Sequence, residues 1–225
     1  SREALVSVAL GKLTEGRKFY VRAAGVSQAQ GNESDVASIW RGVARGEPMF
    51  GNAREAYARF ADAQQADSSP HFNALSALGR LESPETIRAN AEEFASDFPQ
   101  ATDLIFWDRP ANLAALEINA GNDAKAIELL SLAKPYEPAG GTFPDIYLRG
   151  LAYMNLKNGS EAVAEFRKII DHSGVDPLDI LHTMARLGLA RAYVVAGDIP
   201  NARTAYQNFL KYWKDADPDI PILIQ

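Results

Sequence analysis

The sequence predicts an all-α fold, a solenoid of about six stacked antiparallel helix pairs, or roughly twelve helices. Three observations predict it. Alanine, the residue that loses least on entering a helix, occurs 37 times in 225 residues. A pattern with helical spacing recurs along the chain, and a turn precedes most copies of it. No stretch alternates like a strand and no long linker divides the chain, so residues 1–225 are predicted to form a single domain.

The recurring pattern is a small residue, a large apolar residue four positions later and an apolar residue three positions after that. This spacing places all three side chains on one face of a helix, so each copy marks an amphipathic helix. The second helix of a pair can then approach the first closely at the small residue. The copies are Ala56/Phe60/Ala63, Ala126/Leu130/Ala133, Ala162/Phe166/Ile169 and Ala202/Tyr206/Phe209, with a weaker one at Ile87/Ala91/Phe94.

Turns separate the two helices of most predicted pairs. They are Gly51-Asn52, Gly121-Asn122, Asn158-Gly159 and Gly197-Asp198. The first positions of the five copies (56, 87, 126, 162 and 202) lie 31, 39, 36 and 40 residues apart, and the extra residues are expected between pairs, at 138–141 and 174–177. A first pair is predicted at about 3–14 and 16–30, joined at Glu15-Gly16.

Two bulky or rigid residues make further predictions. Pro110 lies inside a helical stretch from Thr102 to Ala120. Because proline lacks an amide hydrogen, the stretch should bend near 106–110, or its regular helix should begin at Pro110. Trp213 follows the last pair and is expected to cover its end.

Composition excludes several classes of function. The net charge of -6 argues against nucleic-acid binding, the absence of cysteine excludes thiolate sites, and no apolar run is long enough for membrane insertion. Phosphate-binding loops, kinase catalytic motifs and zinc-protease motifs do not occur. The three histidines, His71, His172 and His182, lack metal-site spacing and are interpreted as surface or capping residues. We therefore predict no catalytic residue, no metal and no cofactor.

Individual units resemble tetratricopeptide repeats, for example Ile146…Gly150…Tyr153…Ala162…Phe166 and Leu189-Ala190…Tyr193…Gly197…Ala202…Tyr206. Longer stretches, among them 121–130, 164–172 and 213–221, are similar to the C-terminal repeats of bacterial, acidobacteria-type, eukaryotic-like serine/threonine kinases, and to tails of winged-helix regulators. In that family the chain usually continues into another helix after Ile222-Leu223. The resemblance therefore implies a fragment of a longer protein.

The resemblance also implies a concave groove lined by the first helix of each pair. The residues it assigns to a partner-binding groove are Arg41, Arg45, Phe72, Tyr147, Leu151, Met154 and Arg191, with Asp108, Leu187 and Val194 at equivalent positions. Arginine and aromatic residues are enriched in binding hot spots, so a protein or peptide ligand is expected. The alternative is that Tyr147, Leu151 and Met154 only pack against a neighbouring repeat. Arg149 stands where the repeat usually has leucine, and either solvent or a buried carboxylate would satisfy it.

The main functional hypothesis is a non-catalytic protein-interaction scaffold or regulatory region of a larger signalling protein, in particular a serine/threonine kinase. One alternative is a self-assembly module that docks the apolar tail 220–224 on another copy. The other is an enzyme with a site hidden in the groove. The sequence leaves the compartment open, with a slight preference for the cytoplasm and an extracytoplasmic location if the parent kinase spans a membrane.

Overall fold

A computed structural model describes residues 2–67, 73–101, 104–137 and 143–224, and every regular element in these ranges is helical. The all-α prediction is confirmed. The α-helices are α1 Arg2–Ala9, α2 Leu13–Ala29, α3 Glu33–Gly46, α4 Ala53–Ala66, α5 Ala74–Leu78, α6 Pro84–Asp97, α7 Arg109–Asn119, α8 Asp123–Leu130, α9 Pro144–Asn155, α10 Gly159–Asp171, α11 Ile180–Val195, α12 Ile199–Tyr212 and α13 Pro221–Ile224. Short 3₁₀ turns lie at Glu47–Phe50 and Lys134–Tyr136, and a π-helical turn at Leu104–Asp108.

The chain packs into two compact units. Unit 1 contains residues 1–71 together with 213–225, and unit 2 contains residues 72–212. In unit 1, α1 pairs with α2 and α3 pairs with α4. In unit 2, α7 pairs with α8, α9 with α10 and α11 with α12, and each pair also packs on the next. The prediction of helices stacked in adjacent, tetratricopeptide-like pairs is confirmed.

The predicted small-residue positions form the buried helix faces. Ala56, Ala126 and Ala162 are fully buried, and Ala202 is almost so. The weaker copy belongs to a less regular pair, because α5 has only five residues and packs mainly against α7. Helix starts in this region are well capped: Asn73 accepts hydrogen bonds from the amides of Leu75 and Ser76.

A residue in the left-handed region precedes the second helix in most pairs. Glycine supplies it at 51, 121 and 197, as the turn signals predict. The turn predicted at Asn158-Gly159 is displaced by one residue, since Lys157 adopts the positive φ. The first pair is joined at Gly11, and the prediction of a join at Glu15-Gly16 is wrong. Gly16 instead lies inside α2, where a Cβ atom would be 2.7 Å from the Val8 side chain.

Phe166 of α10 fits between the two neighbouring first helices, α9 and α11. A Cβ atom built on Gly150 of α9 would lie 2.9 Å from the Phe166 ring, and one built on Gly188 of α11 would lie 2.7 Å from it. Both glycines therefore act as notches that receive a fully buried ring. This contact sets how closely the last two pairs of unit 2 stack.

The segment around Pro110 follows one of the two predicted alternatives. The π-helical turn ends at Asp108, and the regular helix α7 begins at Arg109 with Pro110 in its first turn. Proline is favoured there because the first amides of a helix have no intrahelical acceptor. Thr102, the predicted start of the stretch, lies outside the described residues, as do 138–141.

Residues 213–224 pack within unit 1, against helices from the beginning of the sequence. Trp213 is buried, its ring lies 5.7 Å from the Phe50 ring, and its indole Nε1 donates to the carbonyl of Ala9 at 2.9 Å. Trp213 therefore packs on the N-terminal helices of unit 1, a contact that the sequence did not predict, and the expectation that it covers the end of the last pair stays a prediction. Ile220 is buried too, so the apolar tail starts against its own chain, although Ile224 is 72% exposed.

Candidate functional site

The first helices of the last three pairs form a row in unit 2, in which α7 contacts α9 and α9 contacts α11. Four of the predicted groove residues lie in this row. Tyr147, Leu151 and Met154 follow one another on α9 at i, i+4 and i+7, so they share one face of the helix. Arg191 lies on the adjoining helix α11. The fold thus places these four positions on two helices in direct contact.

Tyr147 forms the buried end of this face. Its ring packs edge-on against Phe166, with 5.7 Å between the ring centres. Burial raises the pKa of Tyr147 to about 12, and the nearby guanidinium of Arg191 opposes this rise only in part. The phenol therefore keeps its proton at physiological pH and carries a hydroxyl donor. Of the alternatives raised by the sequence, packing against a neighbouring helix applies to the Tyr147 ring.

Leu151, Met154 and Val194 form the accessible part of the face. Leu151 and Met154 are half-buried, and Val194 is 48% exposed. Val194 follows Arg191 by one helical turn on α11, so an apolar side chain adjoins the arginine on its own helix. An accessible apolar strip of this kind is suited to the apolar side chains of a partner.

Arg191 is the charged residue of this surface. It is half-buried, and no residue in the part of the chain that the structure describes hydrogen-bonds or ion-pairs with its guanidinium. The nitrogens of this guanidinium remain accessible to water, since none of them is among the buried polar atoms that lack a partner, so the group is available to an external anion. Arg191, Leu151, Met154 and Val194 are called the inner face below.

Two other predicted anchors lie in unit 1 and are engaged there. Arg41 donates to the carbonyl of Asp67 at 2.8 Å and lies 3.6 Å from its carboxylate. Arg45 donates to the carbonyl of Arg41 at 3.2 Å. These contacts favour a structural role for both arginines. Phe72, the remaining predicted groove residue, lies outside the described residues.

The structure shows that carboxylates, and not solvent, satisfy Arg149. Its side chain is completely buried and contacts two carboxylates, Glu137 at 2.5 Å and Glu165 at 2.7 Å, as well as the carbonyl of Leu130. Lys168 contacts both glutamates from the more exposed side. Hydrogen bonds and charge attraction from the two glutamates raise the pKa of Arg149 against the opposing effect of burial.

Asp145 lies one helical turn before Arg149, and the sequence reasoning missed it. Burial raises its pKa to about 6, although the positive charge of Arg149 acts in the opposite direction. An arginine at a leucine position was the one signal that a buried ion cluster exists here. Asp145, Glu137 and Glu165 read as ordinary surface acids in the sequence, because their burial depends on how the helices pack.

Two of the three histidines, His172 and His182, are described by the structure, whereas His71 lies outside the described residues. His172 is exposed at the end of α10, with Nδ1 2.7 Å from the carbonyl of Lys168, as expected for a capping residue. His182 is buried edge-on against Phe143, so the surface interpretation is wrong for it. Among the described residues, no group of three or more acids and histidines is arranged to hold a metal ion. None of the described helices is long and apolar enough to cross a membrane.

Comparison with known proteins supports one repeat directly. A family model described as "Tetratricopeptide repeat" matches residues 184–216, which include most of α11 and all of α12. No curated protein and no solved structure matches the chain significantly. Tetratricopeptide repeats generally mediate protein–protein interactions, and folds of this type are typically non-catalytic. The resemblance to kinase-attached repeats stays a prediction.

Proposed function

We propose that the chain is a non-catalytic protein-interaction module and that the inner face of unit 2 binds an extended or helical segment of a partner protein. The observation that supports this proposal most is Arg191, a half-buried residue whose guanidinium is accessible and has no partner among the described residues, one helical turn from the exposed Val194. Arg191 would take an acidic side chain or a carboxylate of the ligand. Leu151, Met154 and Val194 would take its apolar side chains.

The charge of the whole protein sets a condition on this ligand. A net charge of -6 repels an acidic segment at long range, but that repulsion is screened beyond a Debye length of about 8 Å at physiological salt. Inside that distance Arg191 would supply the attraction that an acidic residue of the ligand requires. We therefore expect a ligand with one or two acidic residues next to apolar ones, rather than a strongly acidic tract.

A peptide array tests this proposal. The array carries random 15-residue peptides and is probed with the wild-type chain, with Arg191→Glu and with Arg203→Glu as a matched control. Arg203 is exposed on α12, and no hydrogen bond or ion pair of its side chain is seen among the described residues. The wild type should select peptides that combine acidic and apolar residues. Truncating a hot spot costs about 2 kcal/mol or more, so Arg191→Glu should weaken these peptides roughly thirtyfold.

The control variant decides how a loss is interpreted. Arg203→Glu makes the same change in net charge and should bind the selected peptides like the wild type. Equal binding by all three proteins would remove Arg191 from the site, and equal loss in both variants would assign the effect to net charge alone. Leu151→Ser should weaken the same peptides without changing their preference for acidic residues.

We further propose, on the sequence resemblance alone, that the chain is the regulatory repeat region of a bacterial serine/threonine kinase. The sequence upstream of Ser1 in the parent gene tests this. A glycine-rich phosphate loop, a strand lysine and an HRD-like catalytic loop are the expected features. An upstream region without them would contradict the kinase assignment and leave the binding proposal untouched.

A further inference from the structure

The end of the chain is held on unit 1 in the manner of a bound peptide. The segment Trp213–Ile220, called the clasp below, has no regular helix of its own, yet Trp213 and Ile220 are buried. Its polar contacts reach residues more than 200 positions earlier in the sequence. Unit 1 otherwise consists of consecutive helices and the turns that join them, so the described discontinuous piece of this unit is the clasp together with α13, which follows it.

The receptor surface has a place for an indole. Ala9, at the end of α1, offers its carbonyl to the indole Nε1 of Trp213 at 2.9 Å, and Phe50 packs its ring against the indole. Gly11 keeps the surface open. A Cβ atom at this position would lie 2.6 Å from Ala216 and 3.1 Å from the Trp213 ring, and its φ of +76° favours glycine independently.

The receptor surface also has a place for a carboxylate. Asp217 Oδ2 accepts a hydrogen bond from the amide of Thr14 at 2.7 Å, while the Asp217 amide donates to the carbonyl of Gly11 at 3.0 Å. Thr14 lies in the first turn of α2, whose own N-cap residue Lys12 provides no side-chain cap. Asp217 therefore caps α2 from a distant part of the chain. Arg17 donates two hydrogen bonds to Glu47, at 2.8 and 2.7 Å, and its positive charge also attracts the Asp217 carboxylate.

We propose that unit 1 carries a second peptide-binding surface, formed by Ala9, Gly11, Thr14, Arg17 and Phe50. This surface binds a segment in which tryptophan is followed four residues later by aspartate. In the structure the clasp of the same chain occupies it. The clasp thus acts as an intramolecular ligand that a partner segment of the same chemistry displaces. This surface lies in unit 1 and is independent of the inner face of unit 2.

A fluorescent peptide of residues 211–224 is the probe, and its binding is followed by anisotropy. The full chain with Trp213→Ala/Asp217→Ala should leave the surface vacant and bind the peptide. A tethered segment has an effective concentration of the order of millimolar, so binding to the wild type should be at least about 100-fold weaker. A control peptide carrying the same two substitutions should bind neither protein. A folded double variant that fails to bind the peptide, or a wild type that binds it equally well, would overturn the proposal.

Hydrogen exchange on the wild type keeps the test decisive if the double variant does not fold. The reporter is the Asp217 amide of the ¹⁵N-labelled chain, which is hydrogen-bonded to Gly11. An excess of unlabelled peptide should displace the clasp and accelerate exchange of this amide, whereas the control peptide should leave the rate unchanged. Exchange at the rate of global unfolding, unaffected by either peptide, would show that the clasp is a fixed structural element and would overturn the proposal.

Discussion

Arg149 is a completely buried cation whose charge is balanced by Glu137 and Glu165. If the guanidinium were removed, the buried Glu165 and the half-buried Glu137 would keep only the partly exposed Lys168 as a positive partner. The leucine that the repeat usually has at this position would therefore leave these glutamates without their buried positive partner. The identity of residue 149 is set by its neighbours on α10 and on the segment before α9.

Replacing Arg149 tests this dependence. Arg149→Leu should lower the free energy of unfolding by about 3–5 kcal/mol, because it leaves uncompensated buried charge. Lys125→Leu is the control, since it removes an exposed ion pair with Glu117 and should cost less than about 1 kcal/mol. Urea unfolding followed by circular dichroism measures both changes. Equal effects of the two substitutions would contradict the assignment of a buried ion cluster.

Titration of Asp145 makes the stability of the folded protein depend on pH. Its pKa is raised to about 6 in the folded protein, mainly by burial, from an ordinary value near 4. The folded state therefore holds this proton more tightly than the unfolded state between about pH 4 and pH 6. The contribution of Asp145 to stability is present at low pH and is lost as the pH rises through about 6.

The substitution Asp145→Asn should abolish the loss of stability that the wild type shows as the pH rises through about 6. The variant and the wild type should have similar stability near pH 4, and the variant should be more stable by about 1–3 kcal/mol at pH 8. Urea unfolding at pH 4, 6 and 8 measures the difference at each pH. A variant that is equally stable or less stable than the wild type at pH 8 would show that Asp145 is not a buried charge in the folded state.

At the scale of helices, the contact of Phe166 with Gly150 and Gly188 determines how α9, α10 and α11 stack. Sequence spacing found Phe166 as a buried position but could not identify its receptors. A glycine in a helix looks the same whether it faces solvent or a ring. The same ambiguity caused the error at Glu15-Gly16, where a glycine needed for close approach of α1 and α2 was interpreted as a turn.

Two glycine-to-alanine substitutions within helices distinguish a glycine that faces a ring from one that faces solvent. Gly188→Ala should destabilise the protein by about 1–3 kcal/mol, because the new methyl group would lie 2.7 Å from a ring that has no room to move. Gly25→Ala, in α2, meets nothing within 4 Å and should stabilise by up to about 1 kcal/mol through helix propensity. Melting temperatures measure both. Changes of the same sign would contradict the notch at Gly188.

At the scale of the molecule, periodicity predicted the helices and their pairing because each copy repeats the same contact between neighbours in sequence. Residues that act through distant contacts were not predictable in this way. The closure of unit 1 by Trp213 and Asp217 depends on contacts across about 200 residues, and no periodic signal records them. Of the predicted groove residues, Tyr147, Leu151, Met154 and Arg191 lie on adjoining helices, whereas Arg41 is engaged with Asp67.

The most direct test of the account is a charge-reversal cycle between Arg191 and the acidic residue of a selected peptide. Dissociation constants are measured by calorimetry for the wild type and Arg191→Glu, each with the acidic peptide and with a version in which lysine replaces the acid. We predict that each single reversal weakens binding about thirtyfold and that the double reversal restores most of the loss. Independent effects, with the double reversal weaker than either single one, would contradict the assignment of the inner face as the binding site.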